Sequence, residues 1–156
     1  MNTKYFAYTV IVVVAVAIVG GFFVVGSPQN ERLRRFDDKR VQDLQSLQSY
    51  IVEYWRNKNK LPDNLAALND DLRGIKTPKD PQVGGDYEYQ VKGPLTFALC
   101  ADFVTESQAE DSLRPSYAYE PYFPGATWQH GKGKQCFERT IDKDFFPQTK
   151  PGPALQ

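Results

Sequence analysis

The sequence predicts an α+β fold in which an N-terminal transmembrane helix precedes a long amphipathic helix packed on a small antiparallel β-sheet. Three patterns in the 156 residues predict it. An apolar stretch near the start is long enough to cross a bilayer, and the segment after it repeats apolar residues every three or four positions. Further on, short stretches alternate with a period of two, which is typical of half-buried strands. The part outside the apolar stretch, about 130 residues, is sufficient for one small domain and excludes a two-domain enzyme.

The apolar stretch covers residues 5–25, of which 18 are hydrophobic and none is charged. A helix of this length spans about 30 Å at about 1.5 Å per residue, which matches the hydrocarbon core of a bilayer. We therefore expect residues 1–27 to form an uncleaved anchor with the lipid bilayer as partner. A cleaved signal peptide is the alternative, but its apolar core is usually about 7 to 15 residues, and Pro28 is unfavourable just after a cleavage site.

A second helix is predicted after the break at Gly26, Ser27 and Pro28. Its apolar stripe consists of Leu33, Phe36, Val41, Leu44, Leu47, Ile51 and Tyr54. We place Asp38 and Asp43 on the opposite, polar face and expect a helix of about 25 residues that ends near Lys60. A stripe of this kind normally packs against the core of a domain.

The elements that follow are shorter. Leu61 and Pro62 lead into a short helix with Leu65, Leu68 and Leu72 on one face. We expect Gly74 to end this helix.

Strands are predicted at residues 87–91, 95–103 and 134–141. The first two form a hairpin through Lys92, Gly93 and Pro94, with Tyr87, Tyr89 and Val91 on one face. Residues 105–133 are long for a loop and suggest an exposed or functional excursion. The predicted domain therefore covers residues 28–141, and residues 142–156 form an extended C-terminal tail.

The two cysteines, Cys100 and Cys136, each lie in a strand-like segment. This arrangement favours a single disulfide in an oxidising compartment, with two buried free thiols as the alternative. A loop of about 35 residues closed by this bond implies roughly 3 to 4 kcal/mol of stabilisation in the chain-entropy model.

Charge is balanced over the whole chain, with 19 basic and 19 acidic residues, so no nucleic-acid partner is expected. Residues 31–60 nevertheless carry eight basic and five acidic residues. The basic residues nearest the apolar stretch are Arg32, Arg34, Arg35, Lys39 and Arg40. Beside a membrane such residues can contact anionic headgroups, and their excess favours a cytoplasmic C-terminal domain. The cysteines favour the opposite side, and we expect an extracytoplasmic domain.

The order of these elements resembles the architecture of type IV pilins and of type II secretion major pseudopilins. The resemblance covers about residues 5–103 and includes Asp80-Pro81, then Gly84-Gly85, then Tyr87-Glu88-Tyr89, which is similar to the segment that leads into the first hairpin of those proteins. The stretch from Arg35 to Cys100 is also similar to a recurrent, pilin-like domain of uncharacterised bacterial single-pass membrane proteins. The resemblance implies an α+β fold and homo- or hetero-oligomers with pilin-like subunits.

The N-terminus departs from the pilin pattern. No Gly precedes the apolar stretch, and the stretch contains no acidic residue, whereas pilins are processed after a Gly and carry a Glu near the mature N-terminus. The resemblance therefore implies the fold more strongly than it implies assembly into a filament.

Residues that could carry chemistry are few. His130 is the only histidine, so a catalytic arrangement with Cys136 or a serine would have to use it, and a disulfide explains Cys136 better. The aspartates that could offer oxygens to Ca²⁺ are Asp63, Asp70, Asp71 and Asp80, which lack EF-hand spacing and are more simply solvated carboxylates at helix ends. We predict no enzyme, no cofactor and no metal site.

A candidate interaction surface lies in the long loop. Its aromatic residues are Tyr117, Tyr119, Tyr122, Phe123 and Trp128. Aromatic residues are favoured in the centres of protein interfaces, but these could equally fold back and complete the core.

The sequence therefore predicts a non-enzymatic, membrane-anchored, pilin-like or pseudopilin-like protein with a structural or protein-interaction role at the cell envelope. The alternative is a membrane-tethered sensing or ligand-binding module that does not polymerise.

Overall fold

A computed structural model describes residues 3–25, 28–107, 123 and 127–147. It divides the chain into two units, Met1–Arg35 and Phe36–Gln156. The architecture is α+β, with two helices followed by a three-stranded antiparallel sheet. The predicted break at Gly26 and Ser27 lies outside the described residues.

The first unit contains helix α1, Thr3–Val25, whose 23 residues correspond to about 35 Å of helix. Within it, Lys4–Gly21 is apolar and long enough to cross a membrane. A signal sequence near an N-terminus has the same length and apolar composition.

Helix α2 covers Pro28–Lys58 and is longer than predicted, with 31 residues. Pro28 suits the first helical position because its missing N–H has no intrahelical acceptor there. Asn59 ends the helix in the left-handed conformation, with φ of 56°, and its N–H donates to the Trp55 carbonyl at 2.7 Å.

The buried stripe of α2 differs from the predicted one. Leu44, Leu47 and Ile51 are fully buried as expected, but Val52 and Trp55 join them at 1% exposure. Asp43, predicted on the polar face, is 2% exposed. The predicted placement of Asp43 was wrong because its carboxylate binds the Tyr87 hydroxyl and the Lys39 ammonium.

One turn of 3₁₀ helix, Leu65–Leu68, follows α2 and buries both leucines. Leu72 does not join them and is 100% exposed, so its predicted place on this face was wrong. The Asp70 carboxylate accepts the N–H groups of Leu72 and Arg73 at 3.0 and 3.2 Å, and this local turn replaces a further helical turn. Gly74, at φ of +68°, permits the turn rather than ending the helix.

The sheet has the order β1-β2-β3, with β1 at Glu88–Val91, β2 at Thr96–Phe103 and β3 at Gly133–Thr140. Both neighbouring pairs are antiparallel. The three predicted strands are all present, with ends that differ by one residue. The Lys92 and Gly93 N–H groups donate to the Thr96 carbonyl at 2.9 and 3.0 Å, which closes the predicted hairpin.

One face of the sheet forms a continuous apolar core with α2. Its strand residues are Phe97, Leu99, Ala101, Phe103 and Phe137, packed with the buried stripe of α2. Phe146 lies after β3, in the segment predicted to be a tail, and is also buried in this core at 5% exposure. Packing on α2 therefore organises the domain.

Candidate functional site

The other face of the sheet carries the disulfide. Cys100 and Cys136 are directly opposite each other on β2 and β3, with an S–S distance of 2.08 Å. The disulfide predicted from the sequence is confirmed. Because side chains alternate along a strand, both cysteines point away from the core residues Leu99 and Phe137.

A surface ion pair lies on the same face. The Lys134 ammonium contacts the Glu88 carboxylate, and since these residues belong to β3 and β1, the pair reaches over the central strand. The hydrogen bond from Lys134 lowers the pKa of Glu88. Cys100 is 2% exposed, whereas Cys136 is exposed, so solvent approaches the disulfide from the Cys136 side.

Of the five aromatic residues predicted to form an interaction surface in the long loop, the structure describes two, Phe123 and Trp128. Phe123 and Trp128 are 5% and 8% exposed and belong to the core, which is the alternative that the sequence left open. The Trp128 ring lies 4.9 Å from Phe137, and the Arg139 guanidinium lies 4.3 Å from the Trp128 ring centroid. The other three predicted contact residues, Tyr117, Tyr119 and Tyr122, lie outside the described residues.

His130 helps to close the base of this loop. Its ring stacks on Phe103 at 3.7 Å, and its backbone exchanges hydrogen bonds with Ser107 at 2.9 to 3.1 Å. A catalytic arrangement around His130 would use a serine or Cys136. The nearby Ser107 hydroxyl contacts the backbone of His130, and Cys136 is held in the disulfide. The contacts of His130 connect the two ends of the loop.

The four candidate calcium-binding aspartates lie in separate environments. Asp63 is 3.6 Å from Lys60, Asp70 shapes its own turn, and Asp80 binds Arg40. Asp71 is exposed. In the part of the chain that the structure describes, no group of three or more His, Cys, Asp or Glu residues could hold a metal ion. The interpretation of Asp80 as a solvated carboxylate was wrong, since its side chain is 11% exposed.

Arg40 is the centre of a buried charged cluster in the second unit. Its side chain is 3% exposed, and its Nε and Nη2 donate to the two carboxylate oxygens of Asp80 at 2.6 and 3.2 Å. Nη1 donates to Asp37 at 2.7 Å, and Nη2 also donates to Gln82 at 3.0 Å. We call Asp37, Arg40, Asp80 and Gln82 the Arg40 network. Burial would lower the pKa of Arg40, but hydrogen bonds with both carboxylates raise it, so the guanidinium remains charged.

Asp80 connects this network to the loop before β1. Its Oδ1 accepts the N–H groups of Gln82 and Val83 at 2.8 and 2.9 Å, and its carbonyl accepts that of Gly84 at 2.8 Å. Burial raises the pKa of Asp80, but the Arg40 hydrogen bond and the two backbone donors outweigh it and hold the pKa below its usual value. Arg40 therefore holds the turn at residues 80–84 against α2.

Asp37 connects the network to the end of β2. Its Oδ2 accepts from the backbone N–H groups of Val104 and Thr105 at 3.1 and 2.7 Å and from the Thr105 hydroxyl at 2.7 Å. Burial raises the pKa of Asp37, but the bonds from Thr105, Val104 and Arg40 together lower it. One helical turn of α2 thus holds both the loop before β1 and the start of the long loop after β2.

Asp43 forms the next contact along the helix. It accepts a hydrogen bond from the Tyr87 hydroxyl at 2.8 Å, and the Lys39 ammonium lies 2.8 Å from its other oxygen. Burial and the nearby Asp43 charge raise the pKa of Tyr87 well above its usual value. The chain entering β1 is therefore held to α2 by a charge-assisted bond as well as by apolar packing.

Two concave regions adjoin these contacts. A cleft of about 240 Å³ is lined partly by Arg40, Asp80 and Lys134, beside Cys100. A wider groove of about 450 Å³ lies between the last turns of α2 and residues 67–75. Tyr50 and Tyr54 line this groove, and the Glu53–Arg73 ion pair at 2.6 Å connects its two sides. The groove thus places aromatic rings beside charged groups.

The fold and these contacts define the class: an α+β domain with a candidate transmembrane helix, a disulfide on one face of the sheet and a buried ionic network between helix and loops. Comparison with known protein families, with curated proteins and with solved structures finds no match.

Proposed function

We propose that this chain is a membrane-anchored, pilin-like or pseudopilin-like protein with a structural or protein-interaction role at the cell envelope. The observation that carries the proposal is the second unit, in which a long helix packs along one face of a small antiparallel sheet. The apolar helix α1 supplies an anchor at the N-terminal side of this domain.

The disulfide supports an extracytoplasmic position for the domain. Such bonds persist in oxidising compartments and are rare where cellular thiols are kept reduced. The Arg40 network supports a structural role, because Asp37 and Arg40 of α2 bind each other and the loops at residues 80–84 and 104–105.

Membrane topology tests this proposal. A reporter fused after Gln156 should be active outside the cytoplasm, and Cys100 and Cys136 should resist thiol alkylation in intact cells until a reductant is added. A cytoplasmic reporter together with two alkylated thiols would overturn the proposal.

A second candidate function is a membrane-tethered sensing or ligand-binding module that does not polymerise. The groove beside Tyr50, Tyr54 and Arg73 favours it, because it offers rings and charges together in one concavity. Photo-crosslinking in native membranes separates the two functions. A crosslinker at Val12 should capture higher oligomers if the chain assembles with pilin-like subunits, and only monomer if it is a tethered module. A crosslinker at exposed Lys132 is the control for random collision.

A further inference from the structure

The basic residues next to the apolar helix separate into two groups in the structure. Arg40 is buried in its network, and Lys39 contacts Asp43, so both act within the second unit. Arg32, Arg34 and Arg35 are exposed and belong to the first unit, together with α1. The charge that adjoins the candidate transmembrane helix is therefore this arginine triplet.

The spacing of the arginine triplet gives it a broad face. At about 100° per residue, Arg34, Arg35 and Arg32 cover an arc of about 160° around α2. Leu33, which is partly buried, occupies the remaining side. The triplet thus presents guanidinium groups over nearly half of the helix circumference.

The chain also limits how far the arginine triplet lies from the end of α1. Helix α2 begins three residues after α1 ends, and Arg32 is four residues, or about 6 Å of helix, beyond Pro28. Two acidic residues, Glu31 and Asp38, are exposed on the same helix. The Glu31 Oε1 lies 3.8 Å from Arg35 Nε, and both of these side chains are largely exposed. Residues 28–35 keep a net charge of +2 from three arginines and one glutamate.

We propose that the arginine triplet binds the anionic headgroups of the lipid leaflet at the C-terminal end of α1. Guanidinium groups form paired hydrogen bonds with phosphate oxygens, and a negatively charged leaflet attracts basic segments beside a transmembrane helix. This inference rests on α1 being a membrane anchor, but not on which side of the membrane the domain occupies. Each arginine at the surface changes the relative affinity for an anionic lipid about fivefold.

The test uses the full-length protein in nanodiscs of mixed phosphatidylcholine and phosphatidylglycerol, with retained lipids counted by native mass spectrometry. We expect phosphatidylglycerol to be enriched about fivefold or more, and the enrichment to decrease as salt concentration rises. The triple variant R32Q/R34Q/R35Q should remove most of it. Inorganic phosphate in large excess over the protein should displace little of the bound lipid, since the leaflet presents many headgroups at once.

The matched control is K76Q/K92Q/K132Q, which removes three exposed basic residues from the second unit and changes net charge equally. It should keep the enrichment. Equal loss in both variants, or retained enrichment in R32Q/R34Q/R35Q, would overturn the inference. Near-UV circular dichroism confirms that both variants are folded. A cytoplasmic C-terminal reporter with reduced thiols would refute the proposed function and leave this result unaffected.

Discussion

Helix α2 is held to the domain in two different ways along its length. Between residues 44 and 55 the helix packs mainly by apolar contact, through Leu44, Leu47 and Trp55. One turn earlier, Asp37 and Arg40 are equally buried but bind by hydrogen-bonded ion pairs. The apolar part contacts the sheet, and the charged part holds the loops at residues 80–84 and 104–105.

This difference shows how one helix can bind both strands and loops. Strands present side chains that interlock with leucine and tryptophan, whereas loops present backbone N–H groups that need an acceptor. Asp37 supplies such an acceptor to the chain after β2, and Asp80 does the same within its own turn. The charged part therefore orders chain segments that contribute little apolar surface.

The largest expected effect is in the apolar part. Trp55→Ala removes a side chain that is 1% exposed and should lower the free energy of unfolding by about 3 to 5 kcal/mol, through lost burial and the cavity left behind. Denaturant unfolding in mild detergent, followed by circular dichroism, measures it. Gln42→Ala, at an exposed position of the same helix, should change stability by less than about 0.5 kcal/mol.

Arg40→Met tests the charged part. It should lower the free energy of unfolding by about 3 kcal/mol, because it leaves the carboxylates of Asp37 and Asp80 without their cation. The double variant R40M/D80N should lose less stability than the sum of the losses in R40M and in D80N, since D80N removes a charge that R40M leaves unpaired. Strict additivity would show that Arg40 and Asp80 do not interact in solution. Hydrogen exchange of the Val83 amide should be faster in R40M than its loss of global stability explains. In Trp55→Ala, the loss of global stability should account for the whole change in exchange rate.

Acid should weaken the charged part selectively. The folded pKa values of Asp37 and Asp80 lie below the usual 3.8, so their contribution is complete above about pH 4 and is lost as the pH falls through the folded values. Unfolding measured from neutral pH to pH values below 4 should show this decline in the wild type and in Trp55→Ala. The decline should be smaller in R40M/D80N, and an equal decline in all three proteins would contradict the assignment.

The smallest effect is expected where the two parts meet. Tyr87→Phe keeps the buried ring but removes the hydroxyl that donates to Asp43, at a cost of about 1 to 2 kcal/mol. The folded pKa of Tyr87 is raised, so its contribution is complete below about pH 10 and is lost as the pH rises toward the folded value. Tyr89, whose pKa burial raises to about 12, donates to the Pro62 carbonyl, and Tyr89→Phe is the control for a hydroxyl without a carboxylate partner.

The same contrast explains what the sequence could and could not predict. Apolar periodicity and period-two alternation predicted the order of the elements and the hairpin, and two cysteines in strand-like segments predicted the pairing of Cys100 with Cys136. They could not predict the Arg40 network, because hydropathy assigns charged residues to solvent and Asp80 lies 40 residues from Arg40. One signal was present: the buried positions 44, 47 and 51 repeat at three and four residues, and the same spacing extended backwards reaches Arg40 and Asp37.

Leu72 was misplaced for a related reason. Its spacing from Leu68 suits a helical face, but Asp70 forms a local turn that competes with the helix. From the sequence, Phe123 and Trp128 were compatible with either of two roles, an interaction surface or the core. Their ring contacts, Phe123 with Phe146 and Trp128 with Phe137, are seen only in the folded structure and place both residues in the core.

The disulfide lies inside the ladder, three residue pairs before the loop begins at Phe103 and Gly133. A single backbone cut anywhere in residues 104–132 would therefore leave one covalent molecule, with both fragments still aligned by strand pairing. Such a nicked chain would migrate as an intact protein on a non-reducing gel and as two fragments after reduction. The disulfide and the strand pairing thus hold β2 and β3 together independently of the backbone that connects them.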